Sequence, residues 1–246
     1  MKVVCTLACR VQSTRLYGKP LQLLDIERKI SIIEYMLDHL AATPEIDETV
    51  LAISVGEENS PFIRLAERRK LAYVVGDEKD VLARLIVAGE KGKANVVFRV
   101  TSECPFIYMA GLPEALARHR ASGADLTVII GMPEGSFFEL INLSALQKSH
   151  ASGEARHRSE LCTLYINEHP ELFHINKLSA PAGLNRPDIR ITVDYPEDLI
   201  VVRELYKALK KEGEFITIGE IVDYLDKHPK LNETNNWIEA GKGRIW

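Results

Sequence analysis

The sequence predicts one α/β domain in which helices cover both faces of a doubly wound, mainly parallel sheet. Short apolar segments alternate with helical segments from the first residue onward, and short connections join them. The first apolar run, residues 3–9, is continuous, as expected of a strand that is covered on both faces. A chain of 246 residues is long enough for one such domain with a substantial core.

The predicted elements follow one another along the chain. We expect strands at residues 3–9, 49–55, 71–75, 95–100, 125–130 and 189–193. We expect helices at residues 30–41, 112–120, 196–211 and 218–225. We also expect a helix at residues 81–92 that Asp80 opens, and one capped by Ser60 with Pro61 in its first position. Residues 133–184 break this rhythm and indicate a small inserted lid or dimerisation segment. The main domain then spans residues 1–230, and residues 231–246 form a tail without a predicted structure.

Composition excludes several classes of protein. A net charge of -4 argues against bulk nucleic-acid binding, which leaves a basic footprint. No apolar run approaches the roughly 20 residues that span a bilayer, and the apolar start lacks the cleavage pattern of a signal peptide. The four cysteines form no CxxC pair, so we expect reduced, buried thiols in a cytoplasmic protein rather than a zinc site.

The loop after the first predicted strand, RVQSTRLYGKP at residues 10–20, concentrates groups that bind phosphate. It carries three cations, two hydroxyl side chains and a glycine: Arg10, Arg15, Lys19, Ser13, Thr14 and Gly18. Guanidinium forks, an ammonium group and approachable backbone amides suit a triphosphate. The pattern is neither GxGxxG nor GxxxxGK[ST], and a solvated basic loop is an equally good interpretation of the charge alone.

Two further predicted strands are each followed by a carboxylate. Glu103 follows the strand at 95–100, and Asp194 follows the strand at 189–193. Ligands of such sheets bind beyond the carboxyl ends of the strands, where the two carboxylates could meet and hold Mg²⁺ together with phosphate oxygens. The alternatives are a helix cap before Pro196 for Asp194 and a surface turn for Glu103.

Taken together, these motifs resemble those of a known family. RVQSTRLYGKPL is similar to the signature R-x-x-S-T-R-L-x-G-K-x-L of the CMP-sugar-acid synthetases, which are cytidylyltransferases acting on 3-deoxy-manno-octulosonate and N-acetylneuraminate. The closer match is to their spore coat polysaccharide (SpsF-type) branch. Its motifs DVL-x-R-[YF], R-[IV]-T-x-D-C-P, E-H-V-T-x-Y-x-x-x-x-P-E-L-F and T-V-D-x-P-E-D-L resemble residues 80–84, 99–105, 159–173 and 192–199. The resemblance covers about residues 1–210 in the right order.

The resemblance implies a Rossmann-like nucleotidyltransferase domain, a homodimer, and transfer of CMP from CTP to a small acidic acceptor for cell-surface polysaccharide synthesis. It implies that Arg10, Ser13, Arg15 and Lys19 hold the triphosphate, with Arg10 and Lys19 stabilising the departing pyrophosphate. It further implies that Gly76, Asp80 and Thr101 line the ribose and cytosine. Mg²⁺ would be carried by Glu103 and Asp194, and the acceptor would be contacted by Glu139 and Tyr165.

Three positions depart from the family pattern. Glu103 stands where the family has Asp, Gln12 stands where a small residue is usual, and Leu161 stands where the family has His. Leu161 cannot donate a hydrogen bond to a substrate carboxylate, so the acceptor does not follow from the best-known members.

Two other functions compete with the cytidylyltransferase. A metal-dependent glycosyltransferase would carry an Asp-x-Asp triplet after a strand, and the sequence has none in that place. A non-catalytic nucleotide-binding homologue is suggested by Glu103 and Leu161. Retention of Arg10, Lys19 and Asp194 together argues against it, because crowded charges are costly to keep without a ligand.

Overall fold

The computed structural model describes residues 1–238 and contains a seven-stranded sheet and a two-stranded sheet. The strands are β1 (Val3–Cys9), β2 (Leu23–Asp25), β3 (Ile30–Ser31), β4 (Glu48–Ser54), β5 (Ala72–Gly76), β6 (Val96–Arg99), β7 (Leu126–Ile130), β8 (Glu139–Asn142) and β9 (Ile175–Ser179). The α-helices are α1 (Ile32–Ala41), α2 (Ser60–Arg69), α3 (Val81–Lys91), α4 (Leu112–Ser122), α5 (Leu143–Ser152), α6 (Leu164–Glu168), α7 (Pro196–Leu209), α8 (Ile218–Lys227) and α9 (Pro229–Asn232).

The large sheet is mainly parallel, as predicted. Its strand order is β5-β4-β1-β6-β8-β7-β9, and only β8 runs antiparallel to its two neighbours. From β1 the chain builds outward to β4 and β5, and then crosses back to place β6 on the other side of β1. The order therefore reverses between β1 and β6, and the crevice at their carboxyl ends is the expected place for a ligand.

Two apolar cores cover opposite faces of this sheet. Along β1, Val3, Cys5 and Leu7 belong to one core, whereas Val4 belongs to the other. The first core is completed by α1, α2, α4, α7 and α8, and the second by α3, α5 and α6. Because both faces are buried, the strands are continuous apolar runs, which is the pattern that predicted a doubly wound fold.

The predicted helix starts are confirmed in one case and shifted in another. Asp80 caps α3, since its Oδ1 accepts a hydrogen bond from the Ala83 backbone N–H at 2.8 Å. Helix α2 begins at Ser60 itself, so the capping position falls on Asn59 rather than on Ser60. Pro61 still lies in the first turn, where its missing N–H costs nothing.

The prediction of a strand at residues 189–193 is wrong. Ile189, Ile191 and Val193 are buried, as the apolar pattern requires, but the segment joins no ladder of the sheet. Its backbone bonds two loops instead: Ile191 N–H donates to the Glu134 carbonyl at 2.8 Å, and Val193 N–H donates to the Glu103 carbonyl at 3.2 Å. Burial without a neighbouring strand gives the same sequence pattern as a true strand.

Residues 133–184 supply β8 and β9 to the large sheet, as well as α5 and α6. Their assignment as a lid or dimerisation arm stays a prediction. All four cysteines are buried and unpaired, as expected of reduced thiols. Within residues 1–238, no helix has the length and apolar character needed to cross a bilayer. The tail at 231–246 falls partly outside the described residues.

Candidate active site

A cavity of about 350 Å³ opens at the carboxyl ends of β1 and β6. Its walls come from the loop after β1, the loop after β6, the first turn of α3 and the segments around residues 135–139 and 160–161. Thr192 and Asp194 complete the lining. The cavity thus lies at the point where the strand order reverses, and it collects most of the residues that the sequence predicts for the site.

The loop after β1 is folded so that Lys19 faces the cavity. Gly18 adopts the left-handed conformation (φ 62°), and its N–H donates to the Val11 carbonyl at 2.8 Å. A residue with a side chain would be strained at this turn, which explains the glycine. Lys19 follows directly in a short 3₁₀ turn that also contains Pro20. Arg10 and Arg15 lie on the same loop and also line the cavity.

Asp194 is a carboxylate surrounded by three positively charged side chains. Its Oδ1 accepts a hydrogen bond from Lys19 Nζ at 2.6 Å and lies 3.4 Å from an Arg15 nitrogen, and its Oδ2 accepts from Arg190 at 3.1 Å. Burial alone would raise the pKa of Asp194, but Lys19, Arg15 and Arg190 outweigh it and lower the pKa below its ordinary value. Asp194 is therefore held ionised.

The backbone around Asp194 is fixed by Asp198, which is completely buried. Asp198 Oδ2 accepts hydrogen bonds from the backbone N–H groups of Asp194 (2.8 Å) and Tyr195 (2.9 Å). Arg190 donates two hydrogen bonds to the same carboxylate, at 2.8 and 3.0 Å, and also contacts Glu134. Asn235 donates to Asp198 Oδ1 at 2.8 Å. Asp198, Arg190 and Asn235 were not predicted from the sequence, although Arg190 and Asp198 flank the predicted site carboxylate Asp194 in the sequence, which is a usable signal.

Glu103 lines the same cavity and is electrostatically different from Asp194. The loop that carries it is fixed by Ser102, whose hydroxyl donates to the Ala8 carbonyl at 2.8 Å. Burial raises the pKa of Glu103; the Lys19 charge opposes this shift, and the negative charge of Asp194 adds to it. The two carboxylates thus have pKa values moved in opposite directions. Thr101, on the same loop, also lines the cavity.

Glu139 marks the β8 side of the cavity, where it is held by two partners. It forms a buried ion pair with Arg99, and its Oε1 accepts a hydrogen bond from the Thr163 hydroxyl at 2.8 Å. Arg99 also donates to the Glu160 carbonyl at 2.7 Å. The antiparallel strand β8 is the reason for this placement, because Glu139 pairs in register with Arg99 of β6. Leu161 lines the cavity beside them.

Four predicted site residues do not line the cavity. Ser13 only accepts a hydrogen bond of 3.4 Å from the Arg15 backbone N–H. Asp80 caps α3 and bonds His150 at 2.8 Å, so both of its oxygens are occupied. Gly76 ends β5 beside α3. Tyr165 is buried in the second core, with its ring against Phe173. The predicted contact of Tyr165 with the acceptor stays a prediction.

The donor set fits a hard divalent cation that also binds substrate. Among residues 1–238, no group of three or more His, Cys, Asp or Glu side chains is ready to hold a metal ion. Glu103 and Asp194 offer carboxylate oxygens to one cavity, and the thiol of Cys104 is held protonated because burial raises its pKa to about 12. Mg²⁺ characteristically takes one or two carboxylates and completes its shell with phosphate oxygens and water.

Comparisons with known proteins agree with this geometry. A cytidylyltransferase family model matches residues 4–239. Spore coat polysaccharide biosynthesis protein SpsF of Bacillus subtilis is 28% identical over 230 residues, which cover 92% of this chain and 95% of that protein. The structure of a cytidylyltransferase from Leptospira borgpetersenii superposes with a TM-score of 0.82 at 20% identity, covering 94% of this chain and 96% of the other. CMP:2-keto-3-deoxy-manno-octonic acid synthetase complexed with CTP gives a TM-score of 0.65 at 14% identity, with 85% and 99% covered.

Proposed function

Because this chain belongs to the cytidylyltransferase family, we propose that it transfers CMP from CTP to a small acidic acceptor, with release of pyrophosphate. Membership makes the protein a nucleotidyltransferase that uses CTP. The finer proposal is that the acceptor is a sugar acid or a related small molecule and that the product serves cell-surface polysaccharide synthesis. It follows the resemblance in sequence and the similarity to SpsF.

One observation carries the proposal. Three cations from the loop after β1 and two carboxylates from separate loops meet in one cavity at the switch point of the sheet. Phosphoryl and nucleotidyl transfer need little covalent work from the protein and depend on positioning and on neutralising charge. A cavity with Arg10, Arg15 and Lys19 on one wall supplies that neutralisation for a triphosphate.

In the proposed reaction an acceptor oxygen attacks the α-phosphorus of CTP in line with the leaving group. A new P–O bond forms to the acceptor, the bond from the α-phosphorus to the bridging oxygen breaks, and pyrophosphate leaves with the bonding electrons. The hydroxyl proton of the acceptor passes to solvent. Lys19 and Arg10 stabilise the negative charge that grows on pyrophosphate, and Arg15 holds the triphosphate in place.

We assign Mg²⁺ to Glu103 and Asp194, where a bound ion would neutralise phosphate charge and orient the α-phosphate. Asp194 is ready for this role because its lowered pKa keeps it ionised. Lys19 and Arg15 contact its Oδ1 and balance its negative charge. Ser13 lies on the loop that carries these two cations, and Thr101 lies beside Glu103; both are assigned to nucleotide binding, as the family motifs imply.

The acceptor is assigned to the β8 side of the cavity. Glu139 and Arg99 offer charged groups there, and Leu161 adds an apolar surface. The family pattern has His at position 161, so the apolar Leu161 changes the chemistry of this part of the cavity. The homodimer, which would bring a second chain near this side, is part of the proposal and rests on the family resemblance.

The proposal is tested by pyrophosphate release. The purified protein is incubated with each of the four ribonucleoside triphosphates, Mg²⁺, and a panel of 3-deoxy-ulosonic acids, other sugar acids and phosphonates. We expect release with CTP that depends on one acceptor and is lost in Asp194→Asn. Thermal stabilisation by CTP without release of pyrophosphate would support the nucleotide site and show that the acceptor is not among the compounds tested. Neither release nor stabilisation by CTP would refute the proposed function.

A further inference from the structure

Arg84 is a buried arginine in the wall of the cavity that the reaction described above does not use. It lies in the second turn of α3, lines the cavity and is 2% exposed. Its side chain crosses the face of Gly76: a Cβ at that position would lie 2.8 Å from Arg84 Cγ. The absence of a side chain at Gly76 therefore makes room for Arg84, which gives this predicted site residue a role in shaping the cavity.

Arg84 differs from the other cations that line the cavity in having no partner. Its Nε and Nη1 are buried and have no hydrogen-bond partner among residues 1–238. The remaining cations each contact a carboxylate: Arg10 with Glu160, Arg15 and Lys19 with Asp194, and Arg99 with Glu139. In the described part of the chain, Arg84 forms no ion pair.

Burial is the largest influence on Arg84; the carboxylate of Asp77 attracts its charge but forms no ion pair with it among residues 1–238. Val81 and Leu85 of α3 flank it, and the thiols of Cys9 and Cys162 near it are neutral, because burial raises the pKa of each. Burial lowers the pKa of Arg84 itself, and the positive charge of Arg10 lowers it further. A buried cation without an ion-pair partner is costly for a folded protein, and an apolar side chain of similar size would avoid that cost.

Two guanidinium groups that line one cavity suit a polyanion, above all when one of them, Arg84, has no ion-pair partner among residues 1–238. Arg10 belongs to the loop proposed to hold the triphosphate, and it is close enough to affect the ionisation of Arg84. Guanidinium forks bind phosphate through paired hydrogen bonds. We infer that Arg84 binds phosphate oxygens of the nucleotide and supplies the second guanidinium of that site beside Arg10. This inference rests on the proposed function.

Arg84→Met tests the inference, since it keeps an unbranched apolar stem and removes the guanidinium group and its charge. Calorimetry measures the affinity for CTP and for inorganic tripolyphosphate with Mg²⁺, and thermal unfolding measures the stability of the free protein. We expect both affinities to fall at least tenfold, a partial recovery in Arg84→Lys, and a melting temperature no lower than that of the wild type. Arg118→Met, at an exposed ion pair on α4, is the matched control and should leave binding unchanged.

The possible outcomes separate this inference from the proposed function. If Arg84→Met bound both probes with wild-type affinity, above all with a lowered melting temperature, Arg84 would be a structural residue. That result would overturn this inference and leave the proposed function untouched. Weaker CTP binding with unchanged tripolyphosphate binding would also overturn it, because the contact would then be to the nucleoside. A wild-type protein that binds neither probe would overturn both proposals.

Discussion

At the scale of single residues, the structure separates two carboxylates that the sequence presented as equivalent. Asp194 is surrounded by Lys19, Arg15 and Arg190, whereas Glu103 is buried with less compensation. Their pKa values therefore move apart, and Glu103 takes up a proton at a higher pH than Asp194 does. The family pattern has Asp at this position, so the longer side chain is a specific feature of this chain.

Glu103 should set the acid limit of activity. Its raised pKa means that the carboxylate takes up a proton as the pH falls through a value above its ordinary 4.5, and the protonated form cannot hold Mg²⁺. We expect kcat/KM to fall on the acid side and the fall to move to lower pH at higher Mg²⁺, because metal and proton compete. Pyrophosphate release measured from pH 4.5 to 9 at two Mg²⁺ concentrations checks this. If the fall of kcat/KM on the acid side occurred at the same pH at both Mg²⁺ concentrations, protonation of Glu103 would be excluded as its cause. The variant Glu103→Gln should lose activity at every pH measured.

Lys19→Met should lower kcat on the order of 100-fold, the usual effect of removing one charged donor from a developing anion. Lys19 is largely buried and donates to Asp194 at 2.6 Å, whereas Arg15 and Arg190 remain to balance Asp194 in the variant. The fold should therefore survive. Lys2→Met removes a lysine at the remote pair with Glu48 and is the control. Equal activity of the two variants, measured by pyrophosphate release, would remove Lys19 from the mechanism.

At the scale of elements, the segment after α9 reaches the site through Asn235. This side chain is completely buried and donates to Asp198 Oδ1 at 2.8 Å and to the Arg190 carbonyl at 3.1 Å. Asp198 in turn accepts the backbone N–H of Asp194. Residues 231–238, for which the sequence predicts no structure, thus support through Asn235 the loop that carries a candidate metal ligand.

Asn235→Ala should destabilise the protein by about 2 kcal/mol, since it removes a buried hydrogen bond to a charged group. Because the change also loosens the Asp194 loop, we expect kcat to fall more than the KM for CTP changes. Urea unfolding and steady-state kinetics measure the two effects. The neighbouring Asn236 is exposed, and Asn236→Ala is the matched control. A loss of stability with unchanged kcat would limit Asn235 to a structural role.

The sequence predicted the helices and strands whose signals lie within a short stretch of residues. It failed for segments whose structure depends on pairing with a strand that is distant in sequence. Continuous apolar runs and the Asp80 cap placed β1, β4, β5, β6, β7 and α3 within a residue or two. Strand β8 was missed because its neighbours in the sheet are distant in sequence, and residues 189–193 were taken for a strand because burial alone gives the same pattern. The motifs contain most of the charged residues of the cavity, including Arg84 in the motif at residues 80–84. The unpaired state of Arg84 and the contacts of Asn235 are recognised only from burial and partners in the structure.

At the scale of the whole molecule, charges inside the cavity and charges at its periphery have different consequences for stability. The cavity holds Arg84 without a partner and Glu103 with a raised pKa, so it is costly until a ligand enters. The periphery is held by carboxylates in good contacts. Glu220 accepts hydrogen bonds from Lys211 and from Thr217 at the start of α8, and Arg156 and His157 both contact Glu168 beside α6.

These peripheral carboxylates should make the free protein unfold in acid. Hydrogen bonds from Lys211 and Thr217 lower the pKa of Glu220 to about 2 from its ordinary 4.5, and those from Arg156 and His157 lower the pKa of Glu168 to about 2. A lowered folded-state pKa adds stability that is fully present above the unfolded value and is lost as the pH falls through the folded one. The free energy of unfolding, measured in urea, should begin to fall below about pH 6.5, because burial lowers the pKa of His39 to about 4 and only the unfolded chain takes up that proton. It should fall further from about pH 4.5 towards pH 2, as these two carboxylates take up protons.

Glu220→Gln should flatten this fall, because the variant has no proton to take up at that site, and it should be less stable than the wild type at neutral pH. Glu212→Gln, at an exposed position of the same α7–α8 connection, should leave the curve unchanged. Glu103 acts in the opposite direction, since its raised pKa makes protonation favour the folded state. If stability rose on acidification over this range, the cavity rather than the periphery would dominate the electrostatics of folding, and the division of charge described here would be wrong.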